Sequence, residues 1–461
     1  WKDFSIKDGE TVQFDDGAKT NNYLNIVTGN VTSHIDGTMT GGNNVYIANT
    51  NGVVFGATAS VNVGNLYVTT RDLNANAIGT AVGNGTIDLN APTSAGVTGN
   101  IINETAASSA GLAQADIVSL IDGSGSVKAN KIVMEGKSVR ILNDENIQSN
   151  DVYALADTRA LTIDSKEVRP YTGYVHIGYE ATNTKPTVSK YKNLGDKNNL
   201  IDENIYQLVK TADDLKNMKD NLAGNYMLHG DITLSDDPHT PIGSNATPFT
   251  GRFDGMFHEI KGLKLGSGTK DPSDVEDKDE YVGLFGRAKG ATIMNVGLRD
   301  ADLSAVEYGG GLVGQATEGT IISAVYNAAT NGKKIGGSAS THAGGIVGRL
   351  ADSYLDTAYN TMDLGGAKTA GLVARPYGKS RIYAAYNKGA LTLDKKGNAV
   401  FGTPRPNDAG EMFIKDVYTT QGEKVGESED LAKTSRSYVI NETNAKLTNS
   451  AVTVEGDAKQ A

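Results

Sequence analysis

The sequence predicts an all-β chain wound as a right-handed parallel β-helix, a solenoid with one short helix near residues 212–222. Three observations carry this. Short runs in which apolar and polar residues alternate with period two fill the chain, while amphipathic helical periodicity is scarce. Glycine supplies 55 of 461 residues and proline only 10, a balance that suits tight corners and disfavours polyproline linkers. A short phrase also recurs at intervals fit for one solenoid coil plus a variable loop.

From residue 1 to 180 the strand-like runs are Tyr23-Leu24-Asn25-Ile26-Val27, Asn44-Val45-Tyr46-Ile47-Ala48, Val53-Val54-Phe55, Val61-Asn62-Val63 and Leu66-Tyr67-Val68-Thr69. Further runs follow at 86–89, 117–121, 131–134, 139–142 and 174–177. Asn and Gly punctuate them without the regular two-residue spacing of hairpins. Stacked coils of ~20 to 25 residues, ~4.8 Å apart, therefore fit better than antiparallel ribbons. The inward column is apolar and the outward faces polar.

Residues 181–203, crowded with Asn, Thr, Lys and Asp, read as a linker. A helix follows at 212–222, with Thr211 as N-cap, Asp213 and Asp214 in the first turn, a stripe of Leu215, Met218 and Leu222, and Gly224 as the stop. The stripe is core. The repeat lies within residues 204–420: Gly283-Leu284-Phe285-Gly286, Gly311-Leu312-Val313-Gly314, Gly345-Ile346-Val347-Gly348, Gly371-Leu372-Val373-Ala374 and a degenerate Ala399-Val400-Phe401-Gly402, starting 28, 34, 26 and 28 residues apart. A second phrase ends in Tyr326-Asn327, Tyr359-Asn360 and Tyr386-Asn387. Stacked in register, the two phrases predict an aliphatic ladder, a tyrosine stack and an asparagine ladder, with the glycines at corners that admit no Cβ. Residues 421–461 give only a weak β-like ending.

Composition excludes several functions. Lys plus Arg number 43 against 54 Asp plus Glu, a net charge of −11 that repels phosphate backbones, so no nucleic-acid partner is expected. The absence of cysteine removes disulfides, thiolate metal sites and cysteine nucleophiles. No apolar run approaches the ~18 residues of a transmembrane segment. Trp1-Lys2-Asp3-Phe4 lacks the regions of a signal peptide, so the sequence reads as a mature form. His34, His176, His229, His239, His258 and His342 have no metal-binding spacing, and no metal or cofactor is expected. Gly123-Ser124-Gly125-Ser126 reads as a loop, and the acidic run at 271–280 as a solvated loop open to calcium. Sequons at Asn30, Asn84, Asn103, Asn245 and Asn441 match an acceptor pattern that chance explains in an Asn-rich and Thr-rich chain.

The recurrent phrase resembles the GLUG repeat of bacterial surface proteins, and Pro241-Ile242-Gly243 with Phe249-Thr250-Gly251-Arg252-Phe253-Asp254-Gly255 resembles the lead-in to such repeats. Residues 1–180 resemble the two-partner secretion domain of filamentous-haemagglutinin-like exoproteins, best over residues 1–70. The resemblance rests on the order of the Trp1 segment, Leu24-Asn25-Ile26-Val27 and the stretch from Val45 to Gly56. The family's Asn-Pro-Asn-Gly-Ile signature falls on Asn49, Thr50, Asn51, Gly52 and Val53, with Thr50 in place of proline. A second signature, Asn-Pro-Asp-Leu, is not found.

The resemblance implies a secreted or cell-surface bacterial protein exported by an outer-membrane β-barrel transporter that reads the N-terminal domain. It further implies a non-enzymatic adhesin whose receptor is a host cell, another bacterium or a glycan. Two rivals are a β-helix polysaccharide-degrading enzyme, whose carboxylates would gather from adjacent coils, and the stalk of a ligand-capturing or contact-dependent toxin exoprotein.

Overall fold

Alternation sends every second side chain of a strand inward, and in this chain the inward ones are aliphatic. Ile35, Met39, Val45, Ile47, Val53, Leu66, Ile132 and Val139 all lie at zero exposure, each burial contributing ~1.5–3 kcal/mol. A computed structural model describes residues 1–14, 21–41, 44–70, 117–120, 125–156, 160–163, 165–170, 173–181, 185, 190–193, 204–234, 239–265, 281–305, 307–330, 334–337, 342–398, 401–402, 412–419, 437–439, 445–448, 451–454 and 459–460. Expectations at 86–89, 123–124, 271–280 and 399–400, and the sequons at Asn84, Asn103 and Asn441, lie outside these residues.

The chain forms two compact units, one of Trp1–Thr105, Leu112–Leu161 and Pro170–Leu208, the other of Ala106–Gly111, Thr162–Arg169 and Val209–Ala461. In the first unit, three parallel sheets take one strand per coil. The first stacks Thr11–Phe14, Thr38–Gly41, Ser60–Asn62, Ser126–Lys128 and Ile147–Gln148. A second sheet stacks Asn22–Val27, Asn44–Asn49, Asn65–Thr69, Lys131–Glu135, Val152–Leu155 and Tyr191–Asn193. Ser33–Ile35, Val53–Phe55, Ile117–Leu120, Ser138–Ile141 and Val175–Tyr179 form the third. Chain order runs through the sheets in rotation, which makes a parallel β-helix.

Like residues stack along this unit. Asn44 Nδ2 donates to Asn22 Oδ1 and Asn65 Nδ2 to Asn44 Oδ1, each at 2.7 Å. The rings of Tyr46 and Tyr67 lie 4.5 Å apart and within 8° of parallel. The stretch read as a linker holds a strand of the second sheet, and Tyr191 in it is fully buried. One inward aromatic suffices to seat a short strand, yet it leaves no period-two pattern among the surrounding Lys and Asn residues.

The second unit opens on the helix, which is shorter than the sequence suggested. Ala212–Asn217 is α-helical and Met218–Asp220 continues as a 3-10 turn. Thr211 and Asp214 form a reciprocal capping box. Leu215 and Met218 are fully buried, and Leu222 packs on the same core after the helix has ended.

Its coils again use parallel sheets. One stacks Phe285–Lys289, Val313–Thr317, Val347–Ala351 and Val373–Tyr377. The longest stacks Thr292–Arg299, Ile321–Ala328, Tyr354–Asn360, Arg381–Asn387 and Phe413–Thr419. The remaining side includes Tyr308–Gly310, His342–Gly344 and Asp363–Ala370. Val313, Val347 and Val373 share one register, which puts Gly311, Gly345 and Gly371 at equivalent places in successive coils.

The phrase glycines Gly283, Gly311, Gly345 and Gly371 fall in the bends between strands of adjoining sheets. Those glycines are not the residues with positive φ. Left-handed backbone instead forms a column in the middle of the longest sheet, at Asn295, Ala324, Thr357, Ala384 and Asp416, with φ between 50° and 56°. Pairing skips that residue in each strand, so every strand bends once at the same height. Phrase glycines serve close approach: a Cβ on Gly311 would lie 2.5 Å from Asn327 Nδ2, and one on Gly314 or Gly348 would lie 2.6 Å from the carbonyl oxygen of the glycine one coil before.

Candidate functional site

Residues 49–53 form a turn between two strands of the first unit. The Gly52 amide donates to the Asn49 carbonyl at 3.0 Å, closing a β-turn with Thr50 and Asn51 at its centre. Gly52 has φ of 101°, which lies beyond what L-residues adopt readily. Asn49, 1% exposed, holds the turn from within: its Oδ1 accepts from the Asn51 amide at 2.9 Å. The same side chain reaches back one coil, Nδ2 donating to the Val31 carbonyl at 2.9 Å and to Ser33 Oγ at 3.0 Å.

Asn51 adds a second tie, from Nδ2 to the Gly29 carbonyl at 2.8 Å, and Thr32 Oγ1 donates to the Asn51 carbonyl at the same distance. Val53, fully buried, then enters the strand paired with Ser33–Ile35. The five residues named from sequence thus come together as one rigid turn. Thr50 alone among them points to solvent, so its change from proline leaves the inner contacts unaltered.

In the second unit, register brings together the other named residues. Tyr326, Tyr359 and Tyr386 stand at one position of three successive coils, and Asn327, Asn360 and Asn387 at the next. The rings of Tyr326 and Tyr359 lie 4.8 Å apart and 2° from parallel. The three asparagines are wholly buried. Asn327 Nδ2 donates to the Gly345 carbonyl at 3.0 Å, Asn360 Nδ2 to Asn387 Oδ1 at 2.9 Å, and Asn387 Nδ2 to the Gly389 carbonyl at 3.2 Å. Gly283 and Gly286 belong to the same columns one coil earlier, with Phe285 opposite Val313.

Sequence reasoning missed a polar cluster at the head of the tyrosine column. Glu259, 1% exposed, is gripped by the Arg299 fork and by the Tyr326 hydroxyl, with Lys261 Nζ at 3.3 Å. Asp231 joins through Lys261 Nζ at 2.8 Å and the Glu259 amide at 2.9 Å. Burial would push the Glu259 carboxyl up, but hydrogen bonds from Arg299 and Tyr326 hold it below the usual range. Burial and the Glu259 contact push the Tyr326 phenol up. A second missed contact lies on the same sheet: Arg169 donates to Ser323 Oγ at 3.0 Å and pairs with buried Asp356 at 3.4 Å. Each cluster draws on three or more distant stretches, so only adjacency in sequence could have flagged it, and there is none.

Comparison with known proteins bears on the first unit. Residues 1–201 match the TPS secretion domain, which supports a secreted exoprotein of the two-partner type. A heme/hemopexin-binding protein of Haemophilus influenzae strain Rd is 38% identical over 73 residues, 16% of this chain and 8% of that protein. A second Haemophilus influenzae protein of the same name matches to the same extent. The chain therefore covers under a tenth of the length of these relatives. No solved structure matches it.

Proposed function

We propose that the chain is exported by a two-partner-secretion β-barrel transporter that reads the first unit, and that it then acts at the cell surface as an adhesin. The observation that carries the export reading is the 49–53 turn, locked to the preceding coil by Asn49 and Asn51 inside the matched domain. A rigid local shape at a fixed place on a solenoid suits recognition by a receptor that meets many cargo chains. Replacing Asn51 and Gly52 together by alanine removes the Gly29 tie and the special backbone of Gly52. With the cognate transporter present, export of this double variant should fall far more than its amount inside the cell, and normal export would remove the reading.

The attachment reading rests on the repeat, which we interpret as GLUG-type. Its stacked coils give long polar faces on which weak contacts can add up across many copies. On this reading the protein binds without turnover. Purified protein should compete with attachment of the producing cells, and glycans incubated with it should be recovered uncleaved; shortened chains would favour the enzyme instead. A second reading, ligand capture, is favoured by the similarity to the heme/hemopexin-binding proteins of Haemophilus influenzae. Absorbance titration of the purified chain with haem tests it, with a saturable Soret shift as the supporting result.

A further inference from the structure

We propose that the hairpin of Leu161–Ile163 and Lys166–Arg169 is a strap that closes over four successive coils of the second unit and does so only when they stand in register. The two strands form a sheet of their own and turn at Ser165, which has φ of 61°. Thr162–Arg169 belongs to the second unit, although the stretches that end at Leu161 and resume at Pro170 belong to the first. Arg169 reaches two coils of the longest sheet, donating to Ser323 Oγ at 3.0 Å and pairing with Asp356 at 3.4 Å. The Tyr354 hydroxyl, from the same strand as Asp356, donates to Glu167 at 3.3 Å. One coil further, the hairpin lies against Arg381–Asn387, and in the coil after that the Phe413 ring lies 5.7 Å from Lys166 Nζ. Residue number falls as the coils advance, so the strand runs along the solenoid axis, across the strands beneath it. Three residue steps cover ~10 Å and three coil steps ~14 Å; the long side chains of Lys166 and Arg169 bridge the difference.

The strap explains a face that is buried away from any core. Ile322, Leu355, Ile382 and Ile414 fill the interior beneath this sheet. Their neighbours Ile321, Ser323, Asp356 and Phe413 lie outside that core on the opposite face, yet none is more than 6% exposed. Asp356 Oδ1 accepts from Ser323 Oγ at 2.7 Å, and Oδ2, which has no hydrogen bond, faces Arg169 Nε. A buried carboxylate stripped of its cation is strongly destabilised. Arg169 thus completes a face that the coils alone leave charged.

The attachment is weaker than what it holds. Main-chain ladders join each coil to the next, whereas side chains make the strap's named contacts. A two-stranded hairpin is marginal by itself in water, so the strap opens before the stack does. It also closes last. Its contacts exist together only when Ser323, Asp356 and Phe413 occupy their places in successive coils, and a coil slipped by one residue turns these side chains to the other face.

Trypsin tests this on the full chain, because Lys166 is exposed while Pro170 protects the bond after Arg169. Cleavage after Lys166, followed by mass, should be slow in the natural chain. Arg169→Gln and Asp356→Asn should each speed it about 10-fold or more. Both substitutions together should give less than the product of the two effects, and Tyr354→Phe a smaller rise of about 3-fold. In Arg169→Gln, amide exchange should rise in Ile321–Ala328 and Tyr354–Asn360 and stay unchanged in Asn44–Asn49 and Asn65–Thr69. Should Arg169→Gln fail to fold, Arg169→Lys, which keeps the charge and loses the fork, and Tyr354→Phe decide by the same cleavage. Unchanged cleavage in these variants overturns the strap. So does exchange that rises equally in the strands of the first unit, since the loss would then be global. None of these readouts depends on export or attachment.

Discussion

Tyr326 donates a hydrogen bond to Glu259 across a whole intervening coil. In register Glu259 lies beside Gly297, and Gly297 beside Tyr326, so the hydroxyl passes over a position that carries no side chain. A Cβ on Gly297 would fall within the Tyr326 ring. Gly297→Ala should therefore destabilise the second unit by about 1–3 kcal/mol, the usual cost of overpacking, as read from urea unfolding. Tyr326→Phe, which leaves a buried Glu259 oxygen short of a donor, should cost about 1–2 kcal/mol. An unchanged midpoint for Gly297→Ala would mean that the ring does not rest there.

The same cluster predicts acid sensitivity. Because the folded Glu259 carboxyl titrates below its unfolded value of ~4.3, its contribution is fully present above that value. It is lost as pH falls through the lower, folded value. Unfolding midpoints followed from pH 6 down to pH 3 should drop for the natural chain. Glu259→Gln should start lower, because Arg299 keeps its charge without its partner, and should vary less with pH over that window. A slope as steep as that of the natural chain would place the titrating group elsewhere.

The left-handed column makes a different kind of prediction. Thr357 is β-branched and has φ of 50°, while Asn295 holds the equivalent place two coils earlier. Left-handed backbone costs an L-residue ~1–2 kcal/mol, least for Asn and Gly. Thr357→Asn should stabilise the unit by about 0.5–1 kcal/mol, visible as a raised urea midpoint. A lowered midpoint would show that the Thr357 side chain contributes more than its backbone costs.

What could be read from sequence was whatever repeats. The Tyr326-Asn327, Tyr359-Asn360 and Tyr386-Asn387 pairs recur at coil spacing and do stack, since a parallel solenoid converts equal spacing into adjacency. The Asn49 turn was legible because its residues are contiguous. Glu259, Arg299, Asp231 and Tyr326 were not, for their meeting depends on how many residues each coil holds. The phrase glycines do fall in the bends between sheets, whereas the left-handed column inside the longest sheet, at Ala324, Thr357 and Ala384, gave no signal. Neither alanine nor threonine announces positive φ, and the stacked neighbours above and below impose it. Tyr191 was hidden because a single inward side chain makes no pattern.

The last prediction separates the shape of the 49–53 turn from its mere presence. Asn49 ties the turn internally and to the previous coil, and it is buried, so Asn49→Ala strands the Val31 carbonyl and the Asn51 amide. The loss should be about 1–3 kcal/mol. Thr32→Val removes one bond, to the Asn51 carbonyl, at a half-buried site. Its cost should be about 1 kcal/mol or less. If a transporter reads the ordered turn, export measured with the partner present should fall in the same order, with Asn49→Ala well below Thr32→Val and both below the natural chain. Because the thermal melt of each purified variant is recorded alongside, two outcomes are distinguishable. An Asn49→Ala chain that melts early yet is exported normally would show that the turn serves the fold alone, and the recognised feature would have to be sought on another face of the first unit.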